Sequence, residues 1–180
     1  MQAQNLSKKG YCILNIKGED WLEEIDILRE SLSEIDEYKQ NQKKSVRLDL
    51  RFQDAWKDKH IDAVKKFANK SIIKDCLKIL YGREPFPFQT LNFPYGSQQH
   101  VHSDAVHFNS IPNGFMCGVW IALEDVNKDA GPLIYYPSSH KNKYLSSKDL
   151  GITYSDIEKS NYPQTFFEPY WRELIKNSNY

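Results

Sequence analysis

The sequence predicts an α+β protein with an antiparallel sheet, and three observations carry that expectation. Up to about residue 85 the apolar residues recur with helical spacing. After that point they fall into short runs bounded by Gly, Pro and charged residues, the pattern of strands and turns. Helices followed by closely spaced strands favour α+β over alternating βαβ units. Finally, neither GxGxxG nor GxxxxGKS/T occurs, which argues against a nucleotide-binding parallel sheet.

Each element can be justified in chain order. Residues 11–16, YCILNI, form an apolar run of strand length, ended by Gly18. Asp20 stands as an N-cap with Glu23 three residues on, the spacing of a capping box. Trp21, Ile25, Leu28, Leu32 and Ile35 follow at steps of four and three, so an amphipathic helix is expected over 20–38. QNQKK reads as a polar loop, and VRLDLRF, residues 46–52, alternates as a strand does. A second helical stretch is expected from about 53 to 81, with Ser71 as an internal N-cap and Gly82 as the C-terminal stop. Strands are then expected near 86–93, 115–123 and 132–136, the 115–123 strand being central because both of its faces are apolar. Helical signals return around 165–177, with the aromatic stretch FFEPYW as a packing face.

The chain has 180 residues, enough for one domain with a real core. Lys plus Arg number 24 and Asp plus Glu 24, so the formal net charge is zero and there is no electrostatic footprint for nucleic acid. The apolar runs are far shorter than a membrane span, and the first ten residues contain no apolar core of a secretory signal. Cys12, Cys76 and Cys117 are odd in number and dispersed, which fits neither a disulfide framework nor a CxxC zinc site. A reduced, cytoplasmic setting is the expectation, with no nucleic-acid or membrane partner and the oligomeric state open.

Three of the five histidines fall within QQHVHSDAVHF. In an extended segment His102 and Asp104, two residues apart, present an imidazole and a carboxylate on one side. That is two thirds of a 2-His-1-carboxylate facial triad, which holds non-heme Fe(II) and leaves open positions. His100 is in the same register, so HxHxD leaves the choice of imidazole open. The plain alternative is that His102 and Asp104 hydrogen-bond each other or a turn.

The surrounding stretch is more specific. HSD (102–104), GVWIALEDV (118–126) and GPLIYYPSSHK (131–141) occur in order within about 45 residues. Together they resemble the phytanoyl-CoA dioxygenase family of Fe(II)/2-oxoglutarate oxygenases, with Ser138 where that family usually has glycine. The resemblance is strongest over 86–141, and GYCILNI resembles the family's opening strand more weakly. It implies a double-stranded β-helix, or jelly roll, within a single domain over 1–180. Residues 10–85 would form its mostly helical first part, and 86–180 its strands and trailing helix. It implies His102 and Asp104 as metal ligands, Trp120 near the cosubstrate, and Asn92 as a weaker 2-oxoglutarate contact. The implied reaction hydroxylates a small organic substrate with O₂, using Fe(2+) as cofactor and 2-oxoglutarate as cosubstrate. Because Asp104 is present, hydroxylation is favoured over the halogenation of related enzymes in which a small residue replaces it.

The chain departs from the family pattern at its late positions. No histidine follows His140, and the only later arginine is Arg172, inside a helical stretch. The third histidine ligand and the cosubstrate arginine are therefore not identified. The expectation is a member lacking the closing strands, inactive by itself, with an open cleft beside the dyad; the rival is a divergent site that uses His140. His107 and Asn109 read as loop residues or as the substrate side. Tyr135 and Tyr136 are expected on opposite faces of a strand, and Arg47 and Arg51 in exposed ion pairs or holding an acidic substrate. Two other function classes stay open: a non-catalytic metal- or ligand-binding cupin-like jelly roll, and a helical interaction module over 20–81.

Overall fold

The computed structural model describes residues 2–35, 52–57, 62–94, 97, 99–108, 110–159 and 162–178. They divide into two compact units, one of Leu14–Gln98 with Val119–Leu133, the other of Met1–Ile13, Gln99–Gly118 and Ile134–Tyr180.

The first of these units is built on the helical face read from the sequence. Helix α2, Glu19–Ser33, buries Ile25, Leu28 and Leu32, and Ile35 continues the stripe past its end. Against them pack Ala55 and, from helix α3 (Asp62–Ala68), Val64 and Phe67. Burying each such side chain contributes about 1.5–3 kcal/mol. Lys70 sits over the rings of Trp21 and Phe67, 5.4 and 5.5 Å from their centroids, and pairs with Glu24. Its ammonium thereby closes one edge of the apolar cluster.

Helix boundaries differ from expectation in small ways with clear causes. Gly18, at φ 149°, is the N-cap of α2, so Asp20 lies inside the first turn and makes no side-chain cap. Its charge there favours the positive end of the helix dipole. The stretch expected as one helix over 53–81 is a 3-10 turn (Ala55–Lys57), α3, and α4 (Ser71–Tyr81). Lys70, in extended backbone, is the N-cap of α4 and Ser71 its first residue. Gly82 ends α4 in the left-handed conformation, donating its N–H to the Lys78 carbonyl at 2.8 Å, as its position predicted. Expectations over 36–51 and 58–61, including Tyr38, QNQKK, Arg47, Arg51 and most of the 46–52 strand, lie outside the described residues.

The strand expectations need the larger correction. One ladder forms among the described residues: β1 (Phe52–Gln53) antiparallel to β2 (Leu91–Asn92), pairing Phe52 with Asn92 and Gln53 with Leu91. Residues 11–16, 115–123 and 132–136 carry no strand, and of 86–93 only β2 does. A jelly roll is therefore not formed by the described residues. The physical reason is that apolar alternation selects a face, while a strand also needs a neighbour to take its N–H and C=O groups. Residues 119–123 show the face without the ladder. Ile121 and Leu123 pack on the α2–α3 core, whereas Val119, Trp120 and Ala122 are exposed, so this segment is not a central strand.

The second unit contains helix α1 (Gln2–Lys9), helix α5 (Tyr154–Ile157) and a π-helical turn, Pro163–Phe167, that runs into helix α6 (Glu168–Lys176). Thr153 and Asp156 cap α5 reciprocally. Pro163, Phe167 and Trp171 are buried here, with the Phe167 and Trp171 rings 5.5 Å apart. FFEPYW thus packs inward through Phe167 and Trp171, as its composition suggested. Among the described residues no helix is long and apolar enough to cross a membrane.

Candidate metal site

The site grows from a change of backbone conformation. Ser103 is extended, at φ −109° and ψ 126°, and Asp104 opens a 3-10 turn through Val106. The Asp104 carbonyl accepts from the N–H of His107 and of Phe108, both at 2.9 Å, which fixes the turn. Tyr144 donates its hydroxyl to the Ala105 carbonyl at 3.3 Å, tying the turn to the 140s segment. His102 and Asp104 therefore converge through a bend, and not through the strand alternation that pointed to them.

His102 Nε2 lies 3.3 Å from Asp104 Oδ1. The other ring nitrogen, Nδ1, donates to the His100 carbonyl at 2.6 Å. That bond sets the tautomer: with the proton on Nδ1, neutral His102 turns its Nε2 lone pair toward a carboxylate oxygen. Two lone pairs that face each other need a proton or a cation between them. His100 thus acts through its backbone, holding the neighbouring ring. The His102 side chain is 23% exposed and that of Asp104 66%.

The electrostatics follow. The hydrogen bond to Asp104 holds the His102 imidazolium above its usual pKa, against the opposing effect of burial. The His100 carbonyl and the charge of Glu168 push the same way. In return His102 holds the Asp104 carboxyl below its ordinary value, and the charge of His107 adds to that. The rings of His102 and His107 meet edge to face at 6.1 Å between centroids. A Cβ added at Gly118 would stand 4.0 Å from Asp104 Oδ2, so the start of the GVWIALEDV segment runs beside this carboxylate.

The remaining residues singled out from the sequence fall elsewhere. Trp120 and Asn92 belong to the other unit, Trp120 being 55% exposed and Asn92 paired in the β1–β2 ladder. His140 bonds to the Ser7 carbonyl through Nε2 at 3.1 Å. Arg172 pairs with Glu168 one turn back, at 3.1 Å. Tyr135 is half exposed and tilts against Tyr11 at 5.2 Å. Asn109 lies outside the described residues. Among the described residues no group of three His, Cys, Asp or Glu stands close enough to hold a metal ion.

Glu168 was missed by sequence reasoning. Its side chain is 14% exposed and its charge acts on His102, yet no local motif marks it, because it is the first residue of α6 and lies 66 positions from His102 in sequence. A family model described as phytanoyl-CoA dioxygenase (PhyH) matches residues 7–166, which include the dyad and both motifs that follow it. No curated protein and no solved structure matches the chain.

Proposed function

This chain belongs to the phytanoyl-CoA dioxygenase family, and on that premise we propose that it serves an Fe(II)- and 2-oxoglutarate-dependent oxygenation that hydroxylates a small organic substrate. The observation that carries the reading is the convergence of His102 Nε2 and Asp104 Oδ1 at 3.3 Å, inside the family's motif order. Two donors each about 2.1 Å from one ion and at right angles to it lie roughly 3 Å apart, so the pair fits a shared metal.

His102 and Asp104 would hold the iron. Bound there, it would supply O₂ activation coupled to oxidative decarboxylation of 2-oxoglutarate. The chain's own part is orientation and charge. The His100 carbonyl keeps Nδ1 protonated, so Nε2 is the nitrogen free to ligate once its proton leaves. Asp104 brings a negative charge that offsets part of the ion's. Its presence favours hydroxylation over halogenation. Trp120 and Asn92 are assigned to the cosubstrate side by the family pattern alone.

The second reading is a non-catalytic metal- or ligand-binding module. What favours it is that no third protein donor stands with the pair among the described residues. An anaerobic Fe(II) titration followed by a 2-oxoglutarate decarboxylation assay separates the two. We expect weak Fe(II) binding, reduced at least tenfold by His102→Ala or Asp104→Ala and unchanged by His140→Ala. Succinate formation that requires Fe(II), O₂ and an intact dyad supports the oxygenase. Equal Fe(II) binding by both dyad variants would refute the site itself.

A further inference from the structure

Helix α1 presents an accounting problem that its own sequence does not solve. It is eight residues long and buries none of them fully, Leu6 being only partly covered, so length and apolar packing give it little support. An α-helix also leaves its last four carbonyls without intrahelical donors. Here those carbonyls belong to Leu6, Ser7, Lys8 and Lys9. The Leu6 carbonyl accepts from Gly10 N–H at 2.8 Å, an ordinary local closure. The other three accept from a turn about 130 residues away. His140 Nε2–H donates to Ser7 at 3.1 Å, Ser138 Oγ to Lys8 at 2.9 Å, and Ser138 N–H to Lys9 at 2.8 Å.

Two further features support a built junction. Gly10 has φ +84°, and a Cβ there would collide with Tyr135 Oη and with the His140 ring. The close approach therefore needs glycine on both steric and conformational grounds. Ser138 sits at φ 70° and ψ 0°, a left-handed conformation that costs a serine and suits a glycine. A glycine at 138 would relieve that strain and could not make the hydroxyl bond to Lys8.

We propose that Ser138 and His140 are a latch that caps α1 across the sequence, so that α1 is a docked strap whose helical state depends on these two side chains. His140 is then a positioning residue for α1 and not a metal ligand.

Hydrogen–deuterium exchange of the metal-free full chain tests this without reference to any activity. The readout is exchange in peptides covering residues 2–13, with peptides covering 163–176 as the internal control. Ser138→Gly and His140→Ala should each accelerate exchange over 2–13 at least fivefold and leave 163–176 unchanged. His140→Gln, whose amide nitrogen can replace Nε2–H, should restore most of the protection. Gly10→Ala should behave like His140→Ala. The latch is overturned if Ser138→Gly slows exchange or leaves it unchanged, since strain relief would then outweigh the hydroxyl bond. It is equally overturned if the Gln and Ala variants at 140 behave alike, or if any variant accelerates 163–176 as much as 2–13.

Discussion

At His102 the competition between a proton and a metal sets the pH behaviour. Its folded pKa is raised above 6.5 by Asp104, and that of Asp104 is lowered below 3.8 by His102. The histidine contribution to stability is complete below 6.5 and is lost as pH rises through the raised value. The aspartate contribution is present above 3.8 and is lost as pH falls through the lowered value. The metal-free pair is therefore best formed from about pH 4 to 6.5. A metal needs the opposite condition, because Nε2 must lose its proton to ligate. Fe(II) affinity should rise with pH, with a midpoint above 6.5, and His102→Gln should remove that step. A flat affinity profile between pH 6 and 8 would show that His102 does not ligate through a proton it must first release.

Among the elements, the short β1–β2 ladder is held by the residue that ends it. Asp54 has φ 55°, unusual outside glycine, and its N–H donates to the Thr90 carbonyl at 2.7 Å. Its side chain accepts from Thr90 N–H at 3.3 Å and from Lys57 Nζ at 2.6 Å. Lys57 holds this carboxyl below its ordinary pKa, so the contribution is present at neutral pH and fades as pH falls through the lowered value. Asp54→Ala loses both side-chain bonds and tolerates the positive φ poorly, at a cost of about 1–3 kcal/mol. Asp54→Asn keeps the Thr90 bond and accepts this backbone conformation, so it should cost less than the alanine variant. Urea unfolding monitored by circular dichroism would rank them, and an Asn variant as unstable as Ala would exclude the backbone argument.

For the molecule as a whole, the apolar residues left in water decide solution behaviour. Phe86 is 79% exposed and Ile134 72%, each in a segment that forms neither helix nor strand. Such segments favour association between chains. Phe86→Lys combined with Ile134→Lys should lower concentration-dependent light scattering without altering the circular dichroism of the helices. Unchanged scattering would show that neither residue drives association.

Sequence alone was enough for features that depend on neighbours a few residues away. Ile25, Leu28 and Leu32 became the buried face of α2, with Ile35 buried just past its end, and Gly82 stopped α4, because helical periodicity and a left-handed cap are local properties. The pairing of His102 with Asp104 was also legible from a two-residue spacing, although the backbone that achieves it is a turn. Strand formation was not legible, because an apolar run over 115–123 or 132–136 says which side is buried and not which partner takes the backbone hydrogen bonds. Nor could the sequence tell that His140 caps Ser7, or that the Glu168 charge reaches His102. Those relations join residues 66 to 133 positions apart, and only tertiary packing brings such groups within reach.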